Sequence, residues 1–247
     1  MSEDRTTIIS VPSSVTDVYI TKNSGITKIA DNAFKNCTSL KTFGMDTNTV
    51  TSIGSNAFIG CSSLTDVDLK YSVKTIGTDA FKNCINLVKL TIKNPECSIG
   101  GSANTIPNST VIYAFSRSTA ETYKNAYTKI MKPITMIDEG LFLNETSMIK
   151  FTIPDNVKSV SDNAFKNCTG LKTLNLGNIT SIGNNAFENT SVTNIQIPKE
   201  CVSIGAAAFN NCTSLTKADF EDGSICESIG ETAFANTALN YRTDGSK

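Results

Sequence analysis

The sequence predicts a solenoid: a stack of short turns with a curved parallel β-sheet on the concave face, short arcs on the convex face and one short helix in the middle. Three observations predict it. The pair Ala-Phe recurs at Ala33-Phe34, Ala57-Phe58, Ala80-Phe81, Ala164-Phe165, Ala186-Phe187, Ala208-Phe209 and Ala233-Phe234, with phenylalanine spacings of 24, 23, 84, 22, 22 and 25 residues. The same apolar frame surrounds each pair. Between pairs, apolar and polar residues alternate over a few positions, the period of a strand with one buried face. Repetition at this length marks stacked architectures. The long spacing is close to four average repeats, so degenerate turns can fill it.

Each unit has the same elements in the same order. Shortly before the phenylalanine stands Ile29, Ile53, Ile76, Val160, Ile182, Ile204 or Ile229, at the end of a short extended stretch such as Val50-Thr51-Ser52-Ile53-Gly54. The Ala-Phe arc follows, with a small alanine that lets the phenylalanine point inward. Three residues later comes Cys37, Cys61, Cys84, Cys168 or Cys212, with Thr190 and Thr237 in the remaining units. An apolar run then supplies the longer strand, as in Leu64-x-x-Val67-x-Leu69, Leu87-x-x-Leu90-x-Ile92 and Leu171-x-x-Leu174-x-Leu176. A unit this short cannot bury its apolar side alone, whereas stacking on neighbours buries it continuously.

The pattern Ile-Gly-x-x-Ala-Phe-x-x-Cys-x-x-Leu-x-x-Leu-x-Leu resembles the BspA-like leucine-rich repeat family, over about residues 11–100 and 148–240. The resemblance implies a leucine-rich-repeat solenoid. It also implies surface proteins of anaerobic bacteria and certain parasitic protists, linked to adhesion to host matrix or to other cells.

Three regions follow: a first array over 8–100, an irregular segment over 101–147, and a second array over 148–240, read together as one continuous solenoid. In the middle segment, Ser118-Thr119-Ala120-Glu121 has the form of a capping box. Ala120, Tyr123 and Tyr127 share one helical face, which predicts a helix near 119–127. In the resembled family a segment such as Thr110-Val111-Ile112-Tyr113 followed by a helix closes an array; here repeats resume. Either the helix replaces the arc of one turn or it separates two sub-arrays. At the N-terminus, Val15, Val18 and Ile20 read as the strand of an incomplete first turn. The C-terminus ends in polar residues 240–247 with no evident cap: either the last turn is itself the cap, or the chain is a fragment of a longer array.

Composition narrows the function classes. The chain has 247 residues, 39% hydrophobic and 18% charged, with 22 basic against 23 acidic side chains and a net charge of −1. No basic run appears, which argues against a nucleic-acid partner. No apolar run approaches the roughly 20 residues that span a bilayer, so no membrane insertion is expected. Met1 to Thr7 lacks a basic segment followed by an apolar core, so no signal peptide is read. Cell-surface or extracellular placement therefore rests on the resemblance, and a cytoplasmic location stays open. There are no histidines. Without the side chain that titrates near neutrality, and with no nucleophile elbow, phosphate loop or metal-ligand helix, no enzyme, cofactor or metal is expected.

The eight cysteines include five at one repeat position, which would stack them in a column facing the core as small buried hydrophobes. No Cys-x-x-Cys pair exists, and parallel stacking disfavours disulfides between turns; Cys97, Cys201 and Cys226 lie off the column. The phenylalanines should form an internal ladder. Asp66 and Asp68 could act as an acid–base pair, but on an exposed strand they read as solvated charge. Of seven Asn-x-Ser/Thr sites, at Asn36, Asn108, Asn144, Asn167, Asn178, Asn189 and Asn211, those at Asn36, Asn167 and Asn211 are built into the repeat itself.

The concave sheet is where a ligand is expected, since solenoids present it as an extended surface. Its outward residues should be Asp17, Tyr19, Thr42, Gly44, Asp66, Asp68, Lys89 and Thr91 in the first array. The second adds Lys150, Thr152, Thr173, Asn175, Asn194, Gln196, Lys217 and Asp219. Tyr19 is the only aromatic among them, so weak contacts multiplied along the array fit better than one tight site. The expected ligand is a protein or glycan, in host matrix or on other cells. The alternative is an intracellular scaffold or regulatory interaction module.

Overall fold

The computed structural model describes residues 1–240 apart from Thr47 and Arg117; residues 241–247, most of the polar C-terminal stretch, lie outside the described residues. Parallel-strand coils stack into a β-solenoid, with one short helix among the described residues. The chain forms two compact units, Met1–Pro133 and a second beginning at Ile134.

In the first unit each turn contributes a longer strand to one sheet and a two-residue strand to another. The longer strands Asp17–Ile20, Thr42–Met45, Asp66–Leu69, Lys89–Ile92, Val111–Ala114 and Ile130–Pro133 pair in chain order, all parallel. The short strands Thr7–Ile8, Lys28–Ile29, Ser52–Ile53, Thr75–Ile76 and Ser98–Ile99 do the same. In the second unit, Met136–Ile137, Ser159–Val160, Ser181–Ile182, Ser203–Ile204 and Ser228–Ile229 form the short-strand sheet. Its longer strands pair as Lys150–Thr152 with Thr173–Asn175 and Asn194–Ile197 with Lys217–Phe220.

The expected phenylalanine ladder is present. Ring centroids lie 4.8 Å apart for Phe34–Phe58 and 5.2 Å for Phe58–Phe81, with planes within 6° of parallel. Phe165, Phe187, Phe209 and Phe234 continue at 5.0, 5.1 and 5.3 Å in the second unit. Phe142, which follows Leu141 rather than alanine, heads this ladder 4.7 Å from Phe165. In the first unit the turn after Phe81 has a shorter aliphatic substitute: Phe81 N donates to Thr105 O at 2.9 Å, and Ile106 is fully buried. These are degenerate turns within the long gap.

Two left-handed residues shape every Ala-Phe arc and the Leu141-Phe142 arc, one two positions before the phenylalanine and one two positions after. They are Asn32 and Asn36, Asn56 and Gly60, Asp79 and Asn83 in the first unit. In the second they are Gly140 and Asn144, Asn163 and Asn167, Asn185 and Asn189, Ala207 and Asn211, and Thr232 and Asn236. Asparagine, aspartate and glycine tolerate this conformation best, so the recurrent asparagines, and with them several Asn-x-Ser/Thr matches, have a backbone cause. Their side chains also bridge turns: Asn167 Nδ2 donates to Asn144 Oδ1 at 2.9 Å and Asn189 Nδ2 to Asn167 Oδ1 at 3.1 Å.

The cysteine column is buried as expected, and all eight thiols are free. Packing is not its only role. Cys61 Sγ donates to Phe34 O at 3.1 Å, Cys84 to Phe58 O at 3.0 Å, Cys168 to Phe142 O at 3.0 Å and Cys212 to Phe187 O at 3.1 Å. Each thiol thus ties its turn to the preceding one. Cys97 and Cys201, outside the column, are buried near the entry to a short strand, where Val50, Val73 and Val157 sit in other turns.

The helix spans Thr119–Tyr127, with Ser118 as N-cap accepting from Glu121 N. Ala120 and Tyr123 are buried, and Tyr123 Oη donates to Ser102 O at 2.7 Å while accepting from Ile106 N at 3.2 Å. At the far end of the second unit, Ile229 is 52% exposed, whereas Ile204 of the preceding turn is 2% exposed.

Candidate binding face

Pairing register places the outward side chains of the longer strands in rows. In the first unit Asp17 faces Thr42, Tyr19 faces Gly44, Asp66 faces Lys89 and Asp68 faces Thr91. In the second, Lys150 faces Thr173, Thr152 faces Asn175, Asn194 faces Lys217 and Gln196 faces Asp219. Every one of these residues is exposed or half-exposed, and the intervening ones, such as Val67, Leu90, Leu174 and Ile195, are buried. Strand alternation therefore assigned the sides correctly.

Electrostatics on this face is locally neutralised. Lys89 Nζ lies 3.8 Å from Asp66, and Asp68 Oδ2 receives both Lys70 at 3.0 Å and Lys93 at 2.9 Å. Burial works against ionisation of Asp68, but the Lys93 hydrogen bond and the charges of Lys93 and Lys70 outweigh it and hold the carboxyl below its usual range. A hydrogen bond from the Thr42 hydroxyl likewise lowers Asp17. Asp66 and Asp68 are thus each engaged by lysine. The exposed Asp66–Lys89 pair contributes at most about 1 kcal/mol. Tyr19 lies flat over Gly44, where any Cβ would collide with its ring.

The rows continue onto residues the sequence reading did not include. Lys89 pairs with Val111 and Val111 with Ile130; Thr91 pairs with Tyr113 and Tyr113 with Lys132. Tyr113 is therefore a second aromatic on the face. Lys89 Nζ lies 5.4 Å and Lys132 Nζ 5.9 Å from the centroid of its ring. The alternation Val111-Ile112-Tyr113-Ala114 carried the signal, but without a flanking Ala-Phe pair it read as the end of an array.

Parallel coils with a buried leucine-rich face and an open polar face define a leucine-rich-repeat solenoid. The chain belongs to the BspA type leucine rich repeat family, whose six-copy repeat region matches residues 11–128 and 135–246. Solved structures with which it aligns include a leucine-rich repeat protein from Bacteroides ovatus, at 21% identity over 95% of this chain and 76% of that one, TM-score 0.34. Another is the T. pallidum leucine rich repeat protein, at 23% identity over 76% and 84%, TM-score 0.38. A third is a leucine rich cell surface protein from Faecalibacterium prausnitzii, at 21% identity over 86% and 82%, TM-score 0.30. No curated protein matches the chain in sequence. Among the described residues, no helix is long and apolar enough to cross a membrane.

Proposed function

We propose that the protein is a non-catalytic, adhesin-like repeat protein, displayed on the cell surface or secreted, that binds proteins or glycans through the open face of its longer strands. One observation carries this reading: the sheet buries one face in the core and leaves the other open, with registered rows of side chains running from Asp17 to Lys132 in the first unit. Polar groups spaced at about 4.8 Å from strand to strand suit many weak contacts in parallel. Antibody labelling of intact against permeabilised source cells tests the placement. Signal on intact cells supports surface display; signal only after permeabilisation refutes it for this chain. The second reading, an intracellular scaffold, is favoured by the eight unpaired thiols, which suit a reducing compartment.

A further inference from the structure

We infer that binding is concentrated around Tyr113, and that the partner there is an extended protein segment presenting apolar side chains beside a carboxylate. This rests on the reading that the longer-strand face binds, and narrows it to one place and one ligand chemistry.

Most of the face carries aspartate, threonine, asparagine or glutamine. Its character changes where the repeat pattern breaks. The strands Val111–Ala114 and Ile130–Pro133 turn Val111 and Ile130 outward, and Ile130 is 54% exposed. Tyr113 and Lys132 stand beside them in the next row. Strand spacing of about 4.8 Å makes these four side chains neighbours, so together they form an apolar and aromatic patch rather than scattered exposed residues.

Cations frame the patch. Lys89 and Lys132 approach the Tyr113 ring from the two flanking strands, at 5.4 and 5.9 Å, within the range in which an ammonium is drawn to an aromatic face. Lys132 has no carboxylate partner among the described residues, and Lys89 has one at 3.8 Å on an exposed side chain. A ligand carboxylate can therefore dock on these ammonium groups, while its apolar neighbours cover Val111 and Ile130. A half-exposed tyrosine flanked by cations, beside Val111 and Ile130, has the composition of an interface hot spot.

A sugar ring fits this place less well. The ammonium groups occupy the ring face on which a sugar would stack. Val111 and Ile130 offer no hydrogen bonds to its hydroxyls.

The test is to pan a random dodecapeptide phage library on the folded full chain, then to titrate a synthetic copy of the most enriched peptide against variants with wild-type circular dichroism. The expected peptides combine Asp or Glu with aliphatic or aromatic residues. Tyr113→Ala and Lys132→Glu should each weaken binding about tenfold or more, as loss of a hot-spot contact does, while Lys35→Ala, on an exposed Ala-Phe arc away from the face, changes it less than about twofold. Peptides lost on Asn194→Ala or Asp17→Ala but indifferent to Tyr113→Ala would overturn the location while leaving the binding face standing. Peptides indifferent to every substitution on the face would overturn both. No enrichment, or binding of dextran sulfate in place of any apolar peptide, would overturn the assigned ligand chemistry.

Discussion

Replacing Gly77 by alanine should destabilise the first unit by about 2–4 kcal/mol, the reverse of the usual sign for a glycine that is not left-handed. An added Cβ would lie 2.5 Å from the Gly54 carbonyl carbon and 2.7 Å from Ser55 Cα, and closer still to the Ser55 amide nitrogen. All three atoms are backbone of the neighbouring turn, so no side chain can swing aside. Carbon atoms pack at about 3.5–4.0 Å; the turns must therefore part by about 1 Å at this corner. That stretches Gly77 N to Ile53 O, now 2.8 Å, and Asn56 N to Thr78 O, now 3.0 Å. Overpacking of this kind costs about 1–3 kcal/mol, and each buried backbone group left unpaired about 1–3 kcal/mol more. Against this stands about 0.4–1 kcal/mol from the stiffer unfolded chain. Gly101→Ala is the control: its Cβ would meet only Tyr127 Oη at 3.8 Å, so the variant should be neutral or slightly stabilised. Urea denaturation followed by circular dichroism reads both, with midpoints compared at equal slope. If Gly77→Ala unfolded within about 0.5 kcal/mol of Gly101→Ala, the account of the Ile-Gly corner would be wrong, since surface-like changes fall in that range.

Three further perturbations test other parts of the turn. Ala207 stands at φ 54° where most arcs use asparagine, aspartate or glycine; left-handed backbone costs an ordinary L-residue about 1–2 kcal/mol, so Ala207→Asn should raise the urea midpoint, and Asn185→Ala should lower it. Glu145 occupies the cysteine position of its turn, is 3% exposed, and its Oε2 has no hydrogen-bond partner among the described residues. Glu145→Thr should therefore stabilise, by less than the roughly 1–3 kcal/mol cost of an unsatisfied buried group, because the bonds from Ser147 to Oε1 go with it; a lowered urea midpoint would refute this. Burial pushes Cys97 to about 12 and Cys201 to about 11, from an ordinary 9.0. Folded-state values raised in this way leave stability intact below about pH 9 and erode it above, because the unfolded chain releases its thiol protons first. Between about pH 9 and 11 the wild-type midpoint should fall, and Cys97→Val with Cys201→Val should flatten that fall; parallel slopes would assign it to other groups.

Much of the fold was legible because a solenoid repeats its local rules. The Ala-Phe pair, the isoleucine before it and the cysteine after it located seven turns. The phenylalanine ladder, the cysteine column and the helix at Thr119–Tyr127 appeared where the pattern placed them. Strand alternation also put Asp17, Asp66, Asn194 and their fellows on the open face. Less was legible where a turn keeps its shape with other residues. Ile106 in place of a phenylalanine and Leu141-Phe142 in place of Ala-Phe satisfy the same packing without the same letters. Tyr113 and Lys132 stayed hidden for that reason.

The sequence by itself determined the repeat, the inward and outward sides of each strand and the capped helix, because each depends on residues a few positions apart. Tertiary structure decided what depends on neighbouring turns. The glycine that follows Ile53, Ile76, Ile99, Ile182, Ile204 and Ile229 is required by backbone of the preceding coil, and the thiol protons are spent on carbonyls of that same coil. The grouping of Tyr113 with Lys89 and Lys132 joins residues from three strands. Stacking register, invisible within any single turn, places all of these contacts.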